Sequence, residues 1–373
     1  MGNILITDPL GTNIILNPDE ASVEEYAEVI GNIWPQDKDR PIWLLWIHVL
    51  AHATVVCEEV RKNRWHKVAK ELAEVVAWWL SFSRRVTEPP PPKVGDAVRI
   101  VPYIGSSPSD LIWYKYPRVC PVCFGRWLYA NCKPTEEVSR LVSDNLRDIN
   151  AFFKGNPHCN CLSAKKDVED RSEDFKRFTQ KCLREYARRM RAKRKPQSLR
   201  ETAEMLNLIF ANNIEVLSVE EIAFHLLEEV GEVSRSLANL FMQDIQDIEP
   251  GEFLRERQDK VVDFAEEIAD VFSWSVSLLA KIHRFLECAA QFAEEFKTVE
   301  GMPELVRGNL NRTQNVVDLI WTIYGKGSML VCEHCREFPC NPEHSAHVGK
   351  RGQLAGKRLP GAVCNLIRRA SEI

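Results

Sequence analysis

The sequence contains no uninterrupted apolar run of the roughly 18 to 20 residues that a helix needs to span a bilayer. Its first residues, MGNILITDPLGTNIIL, lack the basic segment that begins a secretory signal peptide. The tetrapeptide Asp8-Pro9-Leu10-Gly11 predicts a hairpin turn in this stretch. We therefore expect a cytoplasmic protein that does not enter a membrane.

Several signatures of catalysis and of nucleic-acid binding are also missing. The sequence has no P-loop, no Rossmann fingerprint and no Ser/His/Asp arrangement, so nucleophilic and dinucleotide chemistry have no support. Its net charge of -4 argues against a general nucleic-acid coat. One dense basic run, REYARRMRAKRK at residues 184–195, is either the solvated end of a helix or a contact for nucleic acid.

Four elements occur twice in the same order along this chain of 373 residues. Each half has two amphipathic helical segments, then Leu-Ile-Trp, then Val-Cys-x-x-Cys. The first set is HVLAHATVVCEEV from His48, VAKELAEVVAWWLSF from Val68, LIW from Leu111 and VCPVC from Val119; the second is HLLEEVGEVSRSL from His225, FAEEIADVFSWSVSLL from Phe264, LIW from Leu319 and VCEHC from Val331. The shared order indicates a tandem duplication.

Apolar residues in the second half recur at spacings of three and four, which predicts two helices that each bury one face. The first face comprises Leu226, Val230, Val233, Leu237 and Leu240, and the second comprises Val261, Phe264, Ile268, Phe272, Val276 and Leu279. We predict a mainly α protein with tandem four-helix-bundle units and small zinc-binding modules. Its expected parts are a degenerate copy with a Pro-rich linker and a Cys-rich module (1–165), a basic connecting helix (166–197), a catalytic bundle (198–330) and a C-terminal zinc module and tail (331–373).

Acidic residues flank both apolar faces of the second half. Glu229 and Glu232 lie beside the first face, Glu228 lies further round, and Glu267 and Asp270 lie beside the second face. If the helices pack antiparallel, the two acidic groups meet, and their mutual repulsion requires a bound cation. Oxygen ligands of this kind favour Mg²⁺ or Mn²⁺, and Mg²⁺ usually shares its ligand sphere with substrate phosphates. The pattern predicts polyphosphate hydrolysis.

The spacing Glu228-Glu229-x-x-Glu232, followed by Glu267-x-x-Asp270, resembles the EExxE…ExxD signature of the MazG-like all-α NTP pyrophosphatases. That superfamily also includes dimeric dUTPases and the phosphoribosyl-ATP hydrolases of histidine biosynthesis. The resemblance covers residues 200–290, with a weaker echo in residues 45–83. The gap between the two acidic motifs is longer than in most of the family, which leaves the substrate class open.

The resemblance implies Mg²⁺-dependent hydrolysis of a nucleoside triphosphate to the monophosphate and pyrophosphate. It implies Glu229, Glu232, Glu267 and Asp270 as ligands of one or two Mg²⁺ ions, and Glu228 as the residue that orients or deprotonates the attacking water. Nucleotide-pool control and nucleotide depletion in antiviral defence are both compatible roles. Trp274, one turn beyond Asp270, is either a base-stacking residue or part of the core.

The first half retains fewer acids. Ala51, His52 and Val55 stand where the second half has its three glutamates, whereas Lys70, Glu71 and Glu74 align with the residues at 266, 267 and 270. Two carboxylates beside a lysine make a poor Mg²⁺ site. We expect this copy to be catalytically silent and to complete the bundle as an internal partner, because enzymes of the resembled family assemble by association of copies.

The chain has 12 cysteines, most of them in two clusters, and close spacing in a reducing compartment favours metal binding over disulfides. We expect one structural zinc in each cluster, with a redox dithiol as the rival interpretation. The first set of ligands is four of Cys120, Cys123, Cys132, Cys159 and Cys161, and the second is Cys332, Cys335, Cys340 and His344. Such modules also bind partners, so the alternative function is a non-catalytic zinc-containing subunit that binds nucleic acid or protein. A homo-oligomer is also compatible with the sequence.

Overall fold

The computed structural model describes residues 4–7, 13–35, 40–88, 107–132, 137–159, 173–241, 258–295, 315–326, 329–333 and 338. Within these residues the chain is mainly helical, as predicted. The helices are α1 (Val23–Ile33), α2 (Ile42–Arg61), α3 (Trp65–Thr87), α4 (Pro108–Lys115), α5 (Pro121–Asn131), α6 (Val138–Gly155), α7 (Glu173–Arg194), α8 (Leu199–Ile209), α9 (Ala211–Val216), α10 (Val219–Phe241), α11 (Gln258–Glu295) and α12 (Val316–Tyr324).

Two short hairpins accompany the helices. Strand β1 (Ile4–Thr7) pairs antiparallel with β2 (Asn13–Leu16), with Ile4 opposite Leu16, so the hairpin predicted for the start of the chain is present. Strand β3 (Gly325–Lys326) pairs antiparallel with β4 (Met329–Leu330) directly after α12.

Serine side chains fix where three of the helices begin. Ser22 accepts from the N–H of Glu25 at 3.1 Å, and the Glu25 carboxylate accepts from the N–H of Ser22 at 2.7 Å, which is a complete capping box for α1. Ser218 starts α10 in the same way, and the Ser198 hydroxyl accepts from the backbone at the start of α8. Helix α8 therefore begins shortly after Pro196, where the sequence predicts the start of a new helix.

Four long helices, two from each half of the sequence, form the centre of the fold. Helices α2 and α3 are joined by a short turn, and contacts between their opposite ends show that they are antiparallel. Helix α2 packs on α10, where Trp46 Nε1 donates to Ser234 Oγ at 2.9 Å. Helix α3 packs on α11, where Trp79 Nε1 donates to the carbonyl of Ile268 at 2.7 Å. The bundle thus takes two helices from each half.

The predicted apolar faces are buried. All five residues of the α10 face, and those from Phe264 to Leu279 of the α11 face, lie in one hydrophobic cluster that continues through both halves of the chain; Val261 is partly buried against it. Among the described helices, only α2 has the length and apolar composition of a membrane span. It packs on α3 and α10, as a core helix does.

Two short helices each pack against a long helix from the other half of the sequence. Helix α4 of the first half packs on α11 of the second, and α12 of the second half packs on α3 of the first. Equivalent aromatic contacts accompany this exchange: Trp34 stacks on Trp78 at 5.0 Å, and Phe210 stacks on Trp274 at 6.4 Å between ring centroids. The exchange brings residues 115 and 116 of the first half to the acidic helices of the second.

Candidate active and metal sites

Three carboxylates from two antiparallel helices converge. One oxygen each from Glu229 on α10 and from Glu267 and Asp270 on α11 lies within 4.8 Å of the others. The buried neighbours Val230 and Ile268 anchor each helix in the core and hold the adjacent acids at its edge. We call Glu229, Glu267 and Asp270 the carboxylate cluster.

The two remaining predicted acids differ in their positions. Glu232 lies at the open edge of the carboxylate cluster, where it interacts with Glu267 and pairs with Arg235 at 2.6 Å. The Glu228 side chain is 64% exposed and bonds His225 Nδ1 at 3.1 Å. The structure therefore groups three of the four predicted Mg²⁺ ligands and places Glu232 beside them, whereas the Glu228 side chain is mostly exposed.

Two residues of the first half reach the carboxylate cluster, and neither is among the site residues predicted from the sequence. Lys115 Nζ donates to one oxygen of Asp270, and the Tyr116 hydroxyl donates to the other. Both side chains come from the end of α4, which packs on α11. The only signal in the sequence is the repeated Leu-Ile-Trp segment, in which tyrosine recurs at 324 but isoleucine replaces the lysine.

Trp274 forms one wall beside the carboxylate cluster. Its Nε1 donates to Glu229 Oε1 at 3.2 Å, and its ring stacks against His225 at 4.6 Å and against Phe210 at 6.4 Å. The indole is only partly buried. It thus packs against its neighbours and keeps an exposed part beside the acids.

Burial and mutual repulsion change the protonation of the carboxylate cluster. Burial, and next the charge of Asp270, raise the pKa of Glu229 to about 9. Burial raises the pKa of Glu267 to about 7, against the opposing effect of Lys115. Burial alone would lower the pKa of Lys115, but the surrounding carboxylates raise it instead. Without a cation, the cluster therefore holds at least one proton at neutral pH, and a divalent ion would displace it.

No family model, curated protein or solved structure matches this chain. What the carboxylate cluster can do therefore follows from its own chemistry. Its donors are all hard oxygens on rigid helices, which fit Mg²⁺ or Mn²⁺. The ammonium of Lys115 adds a positive charge beside these oxygens.

The corresponding positions of the first half have a different chemistry. His52 bonds Glu71 at 2.8 Å, in place of a second carboxylate. Lys70 pairs with Glu333 at 3.3 Å. Burial and the adjacent Glu333 raise the pKa of Glu74 well above its usual range. A histidine and a lysine thus occupy the region in which the second half gathers acids.

Three cysteines form a second group. One sulfur each from Cys120, Cys123 and Cys159 lies within 4.8 Å of the others, with Cys159 Sγ at 3.3 Å from Cys120 Sγ and 3.8 Å from Cys123 Sγ. We call these three residues the cysteine cluster. Cys132 follows the last residue of α5, about 14 Å from Cys123 by helical rise, and interacts with Cys182. Three of the five predicted ligands therefore meet, and Cys161 lies outside the described residues.

The C-terminal zinc prediction falls mostly beyond the described residues. Cys332 is buried two residues after the end of β4. The other predicted ligands, Cys335, Cys340 and His344, lie outside the described residues.

Much of the basic run on α7 pairs with acids of the same chain. Arg191 and Lys195 both contact Asp110, at 3.0 Å and 2.5 Å. Arg188 and Arg189 contact Glu185 at 2.8 Å and 2.6 Å, and Arg184 contacts Glu266 at 3.7 Å. The run thus ties α7 to its surroundings.

Proposed function

We propose that this chain is a Mg²⁺- or Mn²⁺-dependent hydrolase that converts a nucleoside triphosphate to the monophosphate and pyrophosphate. The observation that carries the proposal is the convergence of Glu229, Glu267 and Asp270 within 4.8 Å, with Glu232 at their edge. Lys115 and a retained proton offset only part of the repulsion among these acids, so a divalent cation would be bound favourably there. The resemblance to the EExxE…ExxD signature supplies the reaction.

The residues of the carboxylate cluster bind and orient the reactants in this proposal. A bound divalent cation would offset phosphate charge and lower the pKa of a water molecule. The water oxygen bonds to the α-phosphorus, the bond from that phosphorus to the α,β-bridging oxygen breaks, and the electron pair leaves with pyrophosphate. We assign the water's proton to Glu232, because it is at the open edge of the cluster while Glu228 faces solvent.

The first half contributes two side chains to this reaction. Tyr116 and Lys115 each hold one oxygen of Asp270, which fixes the orientation of that carboxylate. In this proposal the Lys115 ammonium, which pairs with Asp270 in the structure, also contacts a phosphate oxygen of the substrate. Trp274 would contact the base through the part of its indole that His225 and Phe210 leave exposed.

The paired contacts of the two halves support a further part of the proposal, namely that the chain is a fused pair of MazG-like units whose first copy is silent. Trp34 and Trp78 match Phe210 and Trp274 in stacking. The first copy would then act as an internal partner, because its α4 places Lys115 and Tyr116 against Asp270.

We further propose structural zinc at the cysteine cluster, which provides three sulfur ligands, and at the C-terminal module. The alternative of a non-catalytic binding subunit finds less support. Most basic side chains of residues 184–195 already form ion pairs with Asp110, Glu185 and Glu266. These ion pairs reduce the capacity of the run to bind the phosphates of a nucleic acid.

Pyrophosphate release tests the proposal. The full chain, supplied with Mg²⁺, is incubated with each member of a panel of canonical and modified nucleoside triphosphates, and pyrophosphate and orthophosphate are measured separately. We expect pyrophosphate from at least one substrate, its loss in Glu267→Gln, and its retention in the exposed control Glu228→Gln. Absence of pyrophosphate across the panel, or full activity in Glu267→Gln, would contradict the proposal.

A further inference from the structure

We propose that Glu266 is a positioning residue, which receives the Lys115 ammonium from Asp270 when a divalent cation binds the carboxylate cluster. This role rests on the cation site of the proposed function but does not depend on hydrolysis. In the structure Lys115 Nζ donates to one oxygen of Asp270, and the Tyr116 hydroxyl donates to the other. The ammonium is therefore the cation that this carboxylate binds here.

Lys115 and a divalent ion compete for Asp270. Both are positive, and two cations held by one carboxylate lie within a few ångströms of each other, where they repel. The Lys115 side chain is only 13% exposed, so solvent screens this repulsion little. A divalent ion on Asp270 therefore favours movement of the ammonium to another acceptor nearby, while Tyr116 still orients the carboxylate.

Glu266 provides that acceptor. It precedes Asp270 by four residues on α11, so the two carboxylates lie on the same side of the helix, about 6 Å apart along its axis. Burial alone would lower the pKa of Lys115, but Asp270 and next Glu266 raise it, so both acids attract the ammonium. A rotation of the long lysine side chain can exchange one carboxylate for the other.

Helix α7 holds Glu266 in place for this exchange. Gln180 Nε2 donates to Glu266 Oε2 at 3.1 Å, and Arg184 lies 3.7 Å from Oε1. The second distance is longer than a hydrogen bond, so Oε1 can still accept one from Lys115. The Glu266 side chain is only 16% exposed. Its carboxylate is thus oriented beside the carboxylate cluster without being one of its three members.

The repeat in the sequence supports a joint role for the lysine and this glutamate. The first half replaces both of them, because Lys70 aligns with Glu266 and Ile323 aligns with Lys115. Lys70 contacts Glu333 instead, at 3.3 Å. The lysine that follows Leu-Ile-Trp and its second carboxylate therefore occur together in the site that has the carboxylate cluster, and the corresponding positions of the other site have neither.

A double-mutant cycle on Mn²⁺ affinity, measured by electron paramagnetic resonance on the full chain, tests this exchange. The variants are Glu266→Gln, Lys115→Met and both together, with Asp263→Asn as the matched control. Asp263 lies on the same helix and also accepts from Gln180, at 3.4 Å. The side chain introduced by Glu266→Gln still accepts from Gln180 but lacks the charge that attracts the ammonium.

Glu266→Gln should weaken Mn²⁺ binding about tenfold or more, because the ammonium then stays on Asp270. Lys115→Met should strengthen Mn²⁺ binding, since it removes the competing cation. When Lys115→Met is already present, Glu266→Gln should change the affinity by less than about threefold, and Asp263→Asn should stay within about threefold of the wild type. Equal losses from Glu266→Gln with and without the lysine, or no loss at all, would overturn the inference.

Crystal structures of the wild type, with and without Mn²⁺, cover the case in which a variant does not fold. With the ion bound, Lys115 Nζ should lie about 2.7 to 3.2 Å from a Glu266 oxygen and no longer contact Asp270. Lys115 still on Asp270 beside a bound ion, or protein that binds no Mn²⁺, would overturn the inference. A protein that shows the transfer but releases no pyrophosphate refutes the proposed function alone. One that releases pyrophosphate with Lys115 still on Asp270 refutes the role of Glu266 alone.

Discussion

Replacing Glu229 with glutamine should stabilise the metal-free protein and reduce its dependence on pH. The pKa of this carboxyl is raised from 4.5 to about 9 by burial and then by Asp270. Between these two values the folded state keeps a proton that the unfolded state releases. The stability contributed by this group is therefore complete below about pH 4.5 and is lost as the pH rises towards 9.

The size of the effect follows from the same shift. At pH 8 the upper limit is about 5 kcal/mol, from roughly 3.5 pH units at about 1.36 kcal/mol each. Glu229 keeps some contact with solvent and titrates together with Glu267, so we expect about 1 to 3 kcal/mol. Glutamine has nearly the same volume and still accepts from Trp274. The substitution therefore removes only the negative charge, which is unfavourable in this buried position.

Thermal unfolding in the presence of a chelator measures this prediction for the wild type, Glu229→Gln and the exposed control Glu228→Gln. At pH 8 the Glu229→Gln midpoint should rise by a few degrees, a shift of the size expected for about 1 to 3 kcal/mol in a chain of this length. At pH 5 it should lie close to the wild type. A midpoint at pH 8 that is unchanged or lower, or one that the control reproduces, would refute the argument.

Three further substitutions probe the site. Asp270→Asn should abolish pyrophosphate release while the protein stays folded, as judged by circular dichroism, because it removes a metal ligand's charge but little volume; full activity would contradict the metal assignment. Lys115→Met should lower kcat/KM by about 10²-fold or more, since it removes the ammonium that we propose contacts the phosphates; an unchanged value would exclude that role. The double change Glu71→Gln and Glu74→Gln should leave turnover within a few-fold, and a loss as large as that of Asp270→Asn would show that the first half supplies ligands.

The helical fold and the meeting of the acids were accessible from sequence because both depend on local spacing. Leu226, Val230 and Val233 repeat at helical intervals, which fixes the buried face and places Glu229 on its flank. The same spacing in α11 places Glu267 and Asp270 beside its buried face. Antiparallel packing of α10 and α11 then brings these acids close to Glu229. These relations involve neighbours in one helix or in a pair of helices.

Lys115 and Cys132 show where local spacing fails. Lys115 contacts Asp270, which is 155 residues away in the sequence, because α4 packs against a helix of the other half. The spacing of apolar residues within a helix does not indicate such a long-range contact. Cys132 is close to Cys123 in sequence, but the intervening residues form α5 and separate the two. Spacing predicts a shared metal only when the segment between the ligands turns back on itself.

The most direct test of the central claim is ³¹P NMR of the full chain acting on its best nucleoside triphosphate, with Mg²⁺, in ¹⁸O-labelled water. The account predicts nucleoside monophosphate and pyrophosphate in equal amounts, with the label on the phosphate of the monophosphate. It also predicts that Asp270→Asn forms neither product. Orthophosphate as the primary product, label in the pyrophosphate, or wild-type rates in Asp270→Asn would contradict hydrolysis at the α-phosphorus by the carboxylate cluster.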